Sequence, residues 1–405
     1  MRRSGVGLIA LWMALSSLPA AAADADVDMD AMEALYQERF KGTMENGGYI
    51  KAYEPQEPVP GADPVAPLAV ASAAELGIDS AALDRAEQYA RDNNSTAFIV
   101  WYQGKLQRET YFGDVTAATP LTTMSLSKPM TSLAVGRAIQ LGYIKSLDQP
   151  LADFFGEWRG TEKQSMLVRH LLDMRTGLLP QAYSTDPDNP LNRAYLSPVH
   201  GKYIVESYPL VAEPGSVYVY SNATADLVAV LIERATGQRY SDFLGNEVLA
   251  KIGAAGGSQW VNRPGGTAHS GCCGYFPAQT YLRMAIAMLD DGVVDGERLL
   301  PEGYVNAMTT PTAQNPHYGL GIWVGGEYIE RRGFGGPNHP GPKVLHSEPF
   351  VDKGIYMFDG NFNQVVYIMP SLELIVLRVG KAPLKSPEWD NSYLPNLVAR
   401  GIKGD

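Results

Sequence analysis

The apolar positions of this chain change period several times, and each change marks an element. From Leu121 to Gly142, residues Met124, Leu126, Met130, Leu133, Ala134, Ala138 and Leu141 recur at threes and fours, which predicts a buried helix. Thr122, Thr123 and Ser125 are its candidate caps. Pro129 is tolerated because it falls in the first turn, and Gly142 is the stop. Before it, a helix capped by Asp79 or Ser80 runs to about Arg91. Two β-prone runs, Ala97–Tyr102 and Leu106–Phe112, then flank Gln103-Gly104-Lys105 and predict a hairpin. Helical periods follow over Leu147–Phe155, Val168–Met174, Tyr203–Tyr208, Ala223–Thr236, Tyr240–Lys251, Tyr275–Leu289 and Glu302–Met308, with Gly177 and Gly237 as stops. Strand patterns return at Tyr318–Val324, Ile355–Phe358, Gln364–Met369 and Leu374–Val379, and a helix over Pro395–Ile402 closes the series. Strands at both ends with helices between predict an α+β fold, one sheet built from both termini and carrying an inserted helical domain.

Ahead of Gly77 the pattern is different. Residues 24–76 read as an N-terminal extension, an extended linker or strap, with acids at Asp24, Asp26, Asp28 and Asp30, a short amphipathic helix over Met29–Phe40, and Pro55, Pro58, Pro60, Pro64 and Pro67. Residues 1–23 read as a secretory signal: Arg2 and Arg3, an apolar run from Val6 to Leu15 too short to span a bilayer, and small residues ending at Ala23. An exported protein, periplasmic in a two-membrane bacterium, is the expectation. No later stretch is long and apolar enough for a transmembrane helix. The formal charge of −11 argues against nucleic acid as a partner, because nothing would neutralise phosphates. Cys272 and Cys273 are the only cysteines. Adjacent cysteines make a strained disulfide and do not offer spaced zinc ligands, so they are expected as small buried residues.

Two short motifs carry candidate chemistry. Ser125 and Lys128 lie three apart at a helix start, so the amine can reach the hydroxyl, and the free N–H groups there favour developing negative charge. A serine needs such a partner to become a nucleophile. Tyr220-Ser221-Asn222 follows the turn Glu213-Pro214-Gly215-Ser216 and opens an apolar-periodic helix. A tyrosine beside an ammonium ionises more readily and can carry a proton between serine and leaving group. Asn222 can orient the lysine and bond a substrate carbonyl. A second Tyr-x-Asn, Tyr304-Val305-Asn306, sits inside an amphipathic helix and reads as structural. No Gly-x-Ser-x-Gly elbow and no His-Glu-x-x-His occur. His170, His200, His269, His317, His339 and His346 show no local metal spacing, so no metal or cofactor is expected. His339 and His346 fall in a Gly- and Pro-rich loop, Gly333 to Pro349, that can border a cleft.

MSLSKPMTSLAVGRAIQLGYIKSLDQPL, HLLDMRTGL, EPGSVYVYSNATADLVAVLIERATGQRYSDFL, GCCGYFPAQTYLRMAIAML, YGLGIWV and GNFNQVVYIMP together resemble, in order and spacing, the β-lactamase-related serine hydrolases. That family includes class C β-lactamases, penicillin-binding-protein-like D-peptidases, family VIII esterases and 6-aminohexanoate-dimer hydrolase. The resemblance covers about residues 77–400. It implies a β-lactamase/transpeptidase-like fold of mostly antiparallel sheet flanked by helices, with a sheet subdomain (77–120 and about 265–405) and a helical one (about 121–264). It implies Ser125 as acylated nucleophile, Lys128 as base or electrostatic partner, and Tyr220 as general base and acid, leaving open which takes the proton. Asn222 would position substrate. The oxyanion hole would use the Ser125 N–H and one near Asn361. One departure stands out. Relatives often carry Lys-Thr-Gly on the strand lining the site, whereas the matching stretch here is Phe358-Asp359-Gly360. Asp359 would then repel a substrate carboxylate, unless a shifted register puts Lys343 or Lys353 nearby. Small esters or amides, even ones with an amine near the cleft, are therefore expected as substrates. D-peptidase, oligoamide hydrolase or weak β-lactamase activity is the alternative, and a non-catalytic binding or sensor protein is the reading from another class. The sequence sets no oligomeric state.

Overall fold

The computed structural model describes residues 27–182, 184–337, 339 and 341–404. The proposed signal segment therefore lies outside the described residues. Helix α1 (Met29–Glu45) and strand β1 (Gln56–Val59) precede α2 (Ser80–Asp92). The hairpin β2 (Ser95–Tyr102) and β3 (Lys105–Tyr111) leads to β4 (Leu121–Thr122) and α3 (Ser127–Gln140). Next come α4 (Val168–Leu172), α5 (Pro190–Leu196), α6 (His200–Glu206), α7 (Asn222–Thr236) and α8 (Tyr240–Phe243). They are followed by β5 (Gly257–Trp260), β6 (Tyr275–Phe276), α9 (Ala278–Leu289), β7 (Val293–Val294), β8 (Glu297–Arg298) and α10 (Tyr304–Thr309). The chain ends with β9 (Trp323–Val324), β10 (Arg331–Gly333), β11 (Lys343–Leu345), β12 (Tyr356–Gly360), β13 (Gln364–Met369), β14 (Leu374–Gly380) and α11 (Tyr393–Arg400).

The main sheet has the order β3-β2-β14-β13-β12-β9, and every neighbouring pair is antiparallel. Its central strands β2, β14 and β13 are largely apolar because both faces are covered, whereas the edge strand β3 is mostly polar. Side chains alternate between faces along a strand. Ile375 and Leu377 of β14 join Val366 and Ile368 of β13 in the core beneath α3 and α9. Leu374 and Val376 join Val365 and Tyr367 in the core beneath α2 and α11. Each such side chain, fully removed from water, contributes about 1.5–3 kcal/mol. The helices α4 to α8 pack with α3 into the first of these cores.

Several expectations are met closely. The hairpin turns at Gln103-Gly104, Asp79 caps α2 through its carboxylate, and Gly237 ends α7 in the left-handed conformation. Others are corrected. Tyr318–Val324 is not one strand. Gly321 is left-handed (φ 71°) and folds the segment so that Tyr318 bridges Trp323, with Gly321 tucked against Ser132 and the Lys128 carbonyl. A side chain at 321 would collide there. Leu147–Phe155 forms only the short turn Leu151–Asp153, because Pro150 and Leu151 bond across to Leu167 and Met166 instead. Of the two readings of the extension, residues 27–62 follow the strap: α1 packs on α5, and β1 joins a second sheet of order β1-β5-β6-β4. No helix among the described residues is long and apolar enough to cross a membrane.

Candidate active site

Ser125 sits in a tight 3-10 turn, Met124–Leu126, that runs directly into α3. None of the expected caps operates. Thr123 instead uses its hydroxyl on Ser127 (2.6 Å) and on the Gly274 N–H (3.0 Å), which staples the turn to the segment ahead of β6. Met124, next to Ser125, is held at φ 45°, a conformation that side chains adopt rarely and that clusters at functional sites.

Lys128 follows one turn later and is 1% exposed. Its Nζ lies 3.2 Å from Ser125 Oγ, 2.8 Å from Asn222 Oδ1 and 2.9 Å from the Gly271 carbonyl. Burial pushes its ammonium down to about 7, and the Asp226 carboxylate opposes that. Asn222 opens α7, and Gln181 accepts its backbone N–H. The Tyr220 ring lies 4.6 Å from Lys128 Nζ, and its hydroxyl lies within reach of Ser125. Burial pushes the Tyr220 phenol up, while Ser125 and the more distant Arg332 pull it back. Trp323 and Tyr318 hold the ring, at 6.0 Å each between centroids. The structure thus brings Ser125, Lys128, Tyr220 and Asn222 into one cluster.

Gly360 and Asn361 reach the same place, and Asp359 does not. Alternation along β12 decides this. A side chain at 360 would point at the Ser125 amide nitrogen, 2.9 Å from it, so only glycine lets the strand end approach the Ser125 turn. Asn361 lines the cleft just beyond. Asp359 points to the opposite face, is 3% exposed and is paired with Arg332, itself buried over the Trp323 ring. The expectation that Asp359 repels a substrate carboxylate is therefore overturned. Burial pushes the Asp359 carboxyl up, against the pull of Arg332. Lys343 is exposed on β11, and Lys353 lines a separate cavity. Removing one partner of a buried pair is costly, whereas replacing both by apolar groups is nearly neutral. Asp359→Ala should lower unfolding stability by about 3–5 kcal/mol, and Arg332→Met with Asp359→Leu should restore most of it, as read by denaturant titration.

A layer behind Lys128 escaped the sequence reading. Asp226 lies one turn along α7 from Asn222 and is 1% exposed. Its Oδ1 accepts the Gly271 N–H at 2.8 Å, while the Gly271 carbonyl accepts from Lys128. Its Oδ2 lies 3.0 Å from His269 Nδ1 and 3.6 Å from His200 Nε2. The signal was available: Asp226 is a lone acid among Ala223, Ala225, Leu227 and Val228 on a buried helical face. Burial pushes Asp226 up to about 6, and holds His200 and His269 well below the ordinary histidine value. The two imidazoles stack 3.8 Å apart, only 8° from parallel. With Asp226 they form a buried His-Asp-His cluster whose candidate ligand atoms all lie within 4.8 Å of one another, a grouping that sequence spacing did not reveal. Tyr304, in the second Tyr-x-Asn, is buried with its hydroxyl on the Ser132 carbonyl at 2.8 Å. His339 lines the cleft, whereas His346 borders the separate cavity. Cys272 and Cys273 are buried as expected, with their two sulfurs side by side. They pack against Met124 and Tyr53.

Comparison with known proteins adds the family. A sequence model described as Beta-lactamase matches residues 83–380. The 6-aminohexanoate-dimer hydrolase of Paenarthrobacter ureafaciens is 25% identical over 239 residues, 55% of this chain and 59% of that enzyme, so the match spans less than two thirds of that relative. A structure from Bacillus anthracis, assigned as a 6-aminohexanoate-dimer hydrolase, superposes with a TM-score of 0.65 at 17% identity, covering 83% of this chain and 88% of that one. A D-stereospecific amidohydrolase from Streptomyces sp. superposes with a TM-score of 0.52 at 16% identity, covering 81% and 99%. At these identities the two structures speak to fold alone, and that fold is the antiparallel sheet flanked by helices described above. With the family match running from α2 to the end of β14, the chain belongs to the Beta-lactamase family of hydrolases.

Proposed function

We propose that this chain is an exported serine hydrolase that cleaves small ester or amide substrates through an acyl-enzyme on Ser125. The observation that carries the reading is the set of three acceptors around Lys128 Nζ. An ammonium has three donors and no acceptor. On losing one proton, the amine keeps two N–H groups for Asn222 Oδ1 and the Gly271 carbonyl. Its lone pair is then left for the Ser125 hydroxyl. Lys128 so takes the Ser125 proton as Oγ attacks the substrate carbonyl carbon. The oxyanion falls to the Ser125 N–H and to an N–H near Asn361. The proton passes, with Tyr220 as relay, to the leaving alcohol or amine, and the acyl group stays on Oγ. A water then attacks the ester, gives its proton to the same base, and releases the acid and free Ser125.

Export is supported by Arg2, Arg3, the apolar run to Leu15 and the small residues before Ala23. Similarity to a 6-aminohexanoate-dimer hydrolase supports amides among the substrates. Labelling with a fluorophosphonate should add one phosphonyl group at Ser125, read by peptide mass spectrometry. Absence of that adduct overturns the reading and leaves a binding protein. The pH profile separates the two bases. If Lys128 is the base, kcat/KM for p-nitrophenyl acetate rises with pH around a midpoint near 7, as the ammonium loses its proton. If Tyr220 is the base, the midpoint lies above the ordinary phenol value, because burial raises it.

A further inference from the structure

The cleft over Ser125 measures about 980 Å³, and one of its walls is the N-terminal segment. Thr43, Met44, Gly48, Tyr49, Ile50 and Tyr53 all line it. Both ends of this segment are tied down. On one side α1 is fixed to α5: Tyr36 donates to the Pro187 carbonyl (2.5 Å), and Arg193 lies over the Tyr36 ring at 4.5 Å and pairs with Glu33 at 2.7 Å. On the other side β1 pairs with β5, Gln56 opposite Trp260, and Trp260 donates to the Glu54 carbonyl at 3.2 Å. Between these anchors Tyr53 leans on Trp260, 5.4 Å between centroids, and its hydroxyl lies 3.9 Å from Met124 Sδ. Met124 is the residue before Ser125, so the strap touches the nucleophile turn itself.

The lining has a second property. Among the described residues no Asp, Glu, Lys or Arg lines the cleft. Tyr195, Tyr218 and Phe334 also line it. Burying an unpaired charge against such walls is costly, whereas an apolar group gains from them.

We propose that residues 43–53 form a specificity wall over Ser125, and that the site selects uncharged substrates bearing an extended or flat apolar group. This rests on the Ser125 reading. Beyond Lys128, whose Nζ is engaged by Ser125, Asn222 and Gly271, and the His339 ring, a charged group next to the scissile carbonyl finds no counter-charge on the lining. The sequence-based allowance for a substrate amine falls with the burial of Asp359.

The test uses the full chain and two substrate series. One is p-nitrophenyl acetate, butyrate, octanoate and mono-p-nitrophenyl succinate; the other is ethyl and benzyl acetate. The native protein should prefer octanoate or benzyl acetate, and should turn over the anionic succinate at least roughly tenfold less well than butyrate. Tyr49→Ala with Ile50→Ala should cut the long-to-short selectivity ratio roughly tenfold in at least one series. Both side chains reach solvent, Tyr49 being 75% exposed, so folding is spared. Ile50→Lys should raise the succinate-to-butyrate ratio several-fold, a gain that damaged packing cannot give. Equal native turnover of succinate and butyrate overturns the charge selection. A Ser125 adduct with both ratios unmoved in the variants overturns the wall alone. No adduct and no turnover in the native chain overturns both this proposal and the reading beneath it.

Discussion

Replacing Ser125 with Ala should abolish fluorophosphonate labelling and lower ester turnover by at least about a thousandfold, with the fold intact. The size of the effect follows from position. The Ser125 hydroxyl faces Lys128 Nζ at 3.2 Å and has Tyr220 within reach, so both proposed proton carriers converge on one oxygen. Groups that act as a unit lose nearly everything when one is removed. The small effect on folding follows from the same geometry. The turn is held by Thr123 on Ser127 and Gly274, and by the approach of Gly360, none of which uses the Ser125 side chain. Circular dichroism and thermal unfolding close to the native values would accompany the loss. Residual turnover above a hundredth of the native rate would move the nucleophile elsewhere.

The parts of this site that were legible in the sequence are those whose partners are close along the chain. Ser125 and Lys128 share one helical turn, and Tyr220 and Asn222 flank one helix start, so local period and capping rules reach them. Strands β13 and β14 were legible for a similar reason, as apolar runs broken by Pro370 and Ser371. The rest depends on distant packing. Arg332 and Asp359, 27 residues apart, are a pair because β12 alternates its faces, and Asp359 alone looked like a cleft residue. Asp226 gains meaning only beside His269 and Gly271, more than 40 residues on. The extension looked like a linker or strap because its prolines break periodicity, and the choice rests on β1 finding its partner in β5, about 200 residues away. Helix α5 was missed although Asn189 and Pro190 are good start signals; the helix is too short for its period to stand out.

Lys128→Met should reduce turnover by about 10²–10⁴-fold, the usual worth of a positioned base, while leaving Ser125 in place. Its Nζ is the only group bonded at once to Ser125, Asn222 and Gly271 in this cluster, so no neighbour supplies the same lone pair. Lys128→Arg sharpens the reading. A guanidinium keeps the charge but cannot give up its proton in a protein, so an electrostatic partner would be rescued and a base would not. Asp226 then tests what sets the lysine's poise. Its carboxylate favours the ammonium, against the larger effect of burial. Asp226→Asn keeps the acceptor for Gly271 and removes the charge. Ammonium is then less stable, so the midpoint of the pH–rate profile should fall below about 7. It should fall without a matching loss of the plateau rate at higher pH, where Lys128 is neutral in both proteins. A plateau that collapses while the midpoint stays fixed would make Asp226 a packing element only. A midpoint that rises would reverse the sign of the coupling and detach Lys128 from the proton transfer.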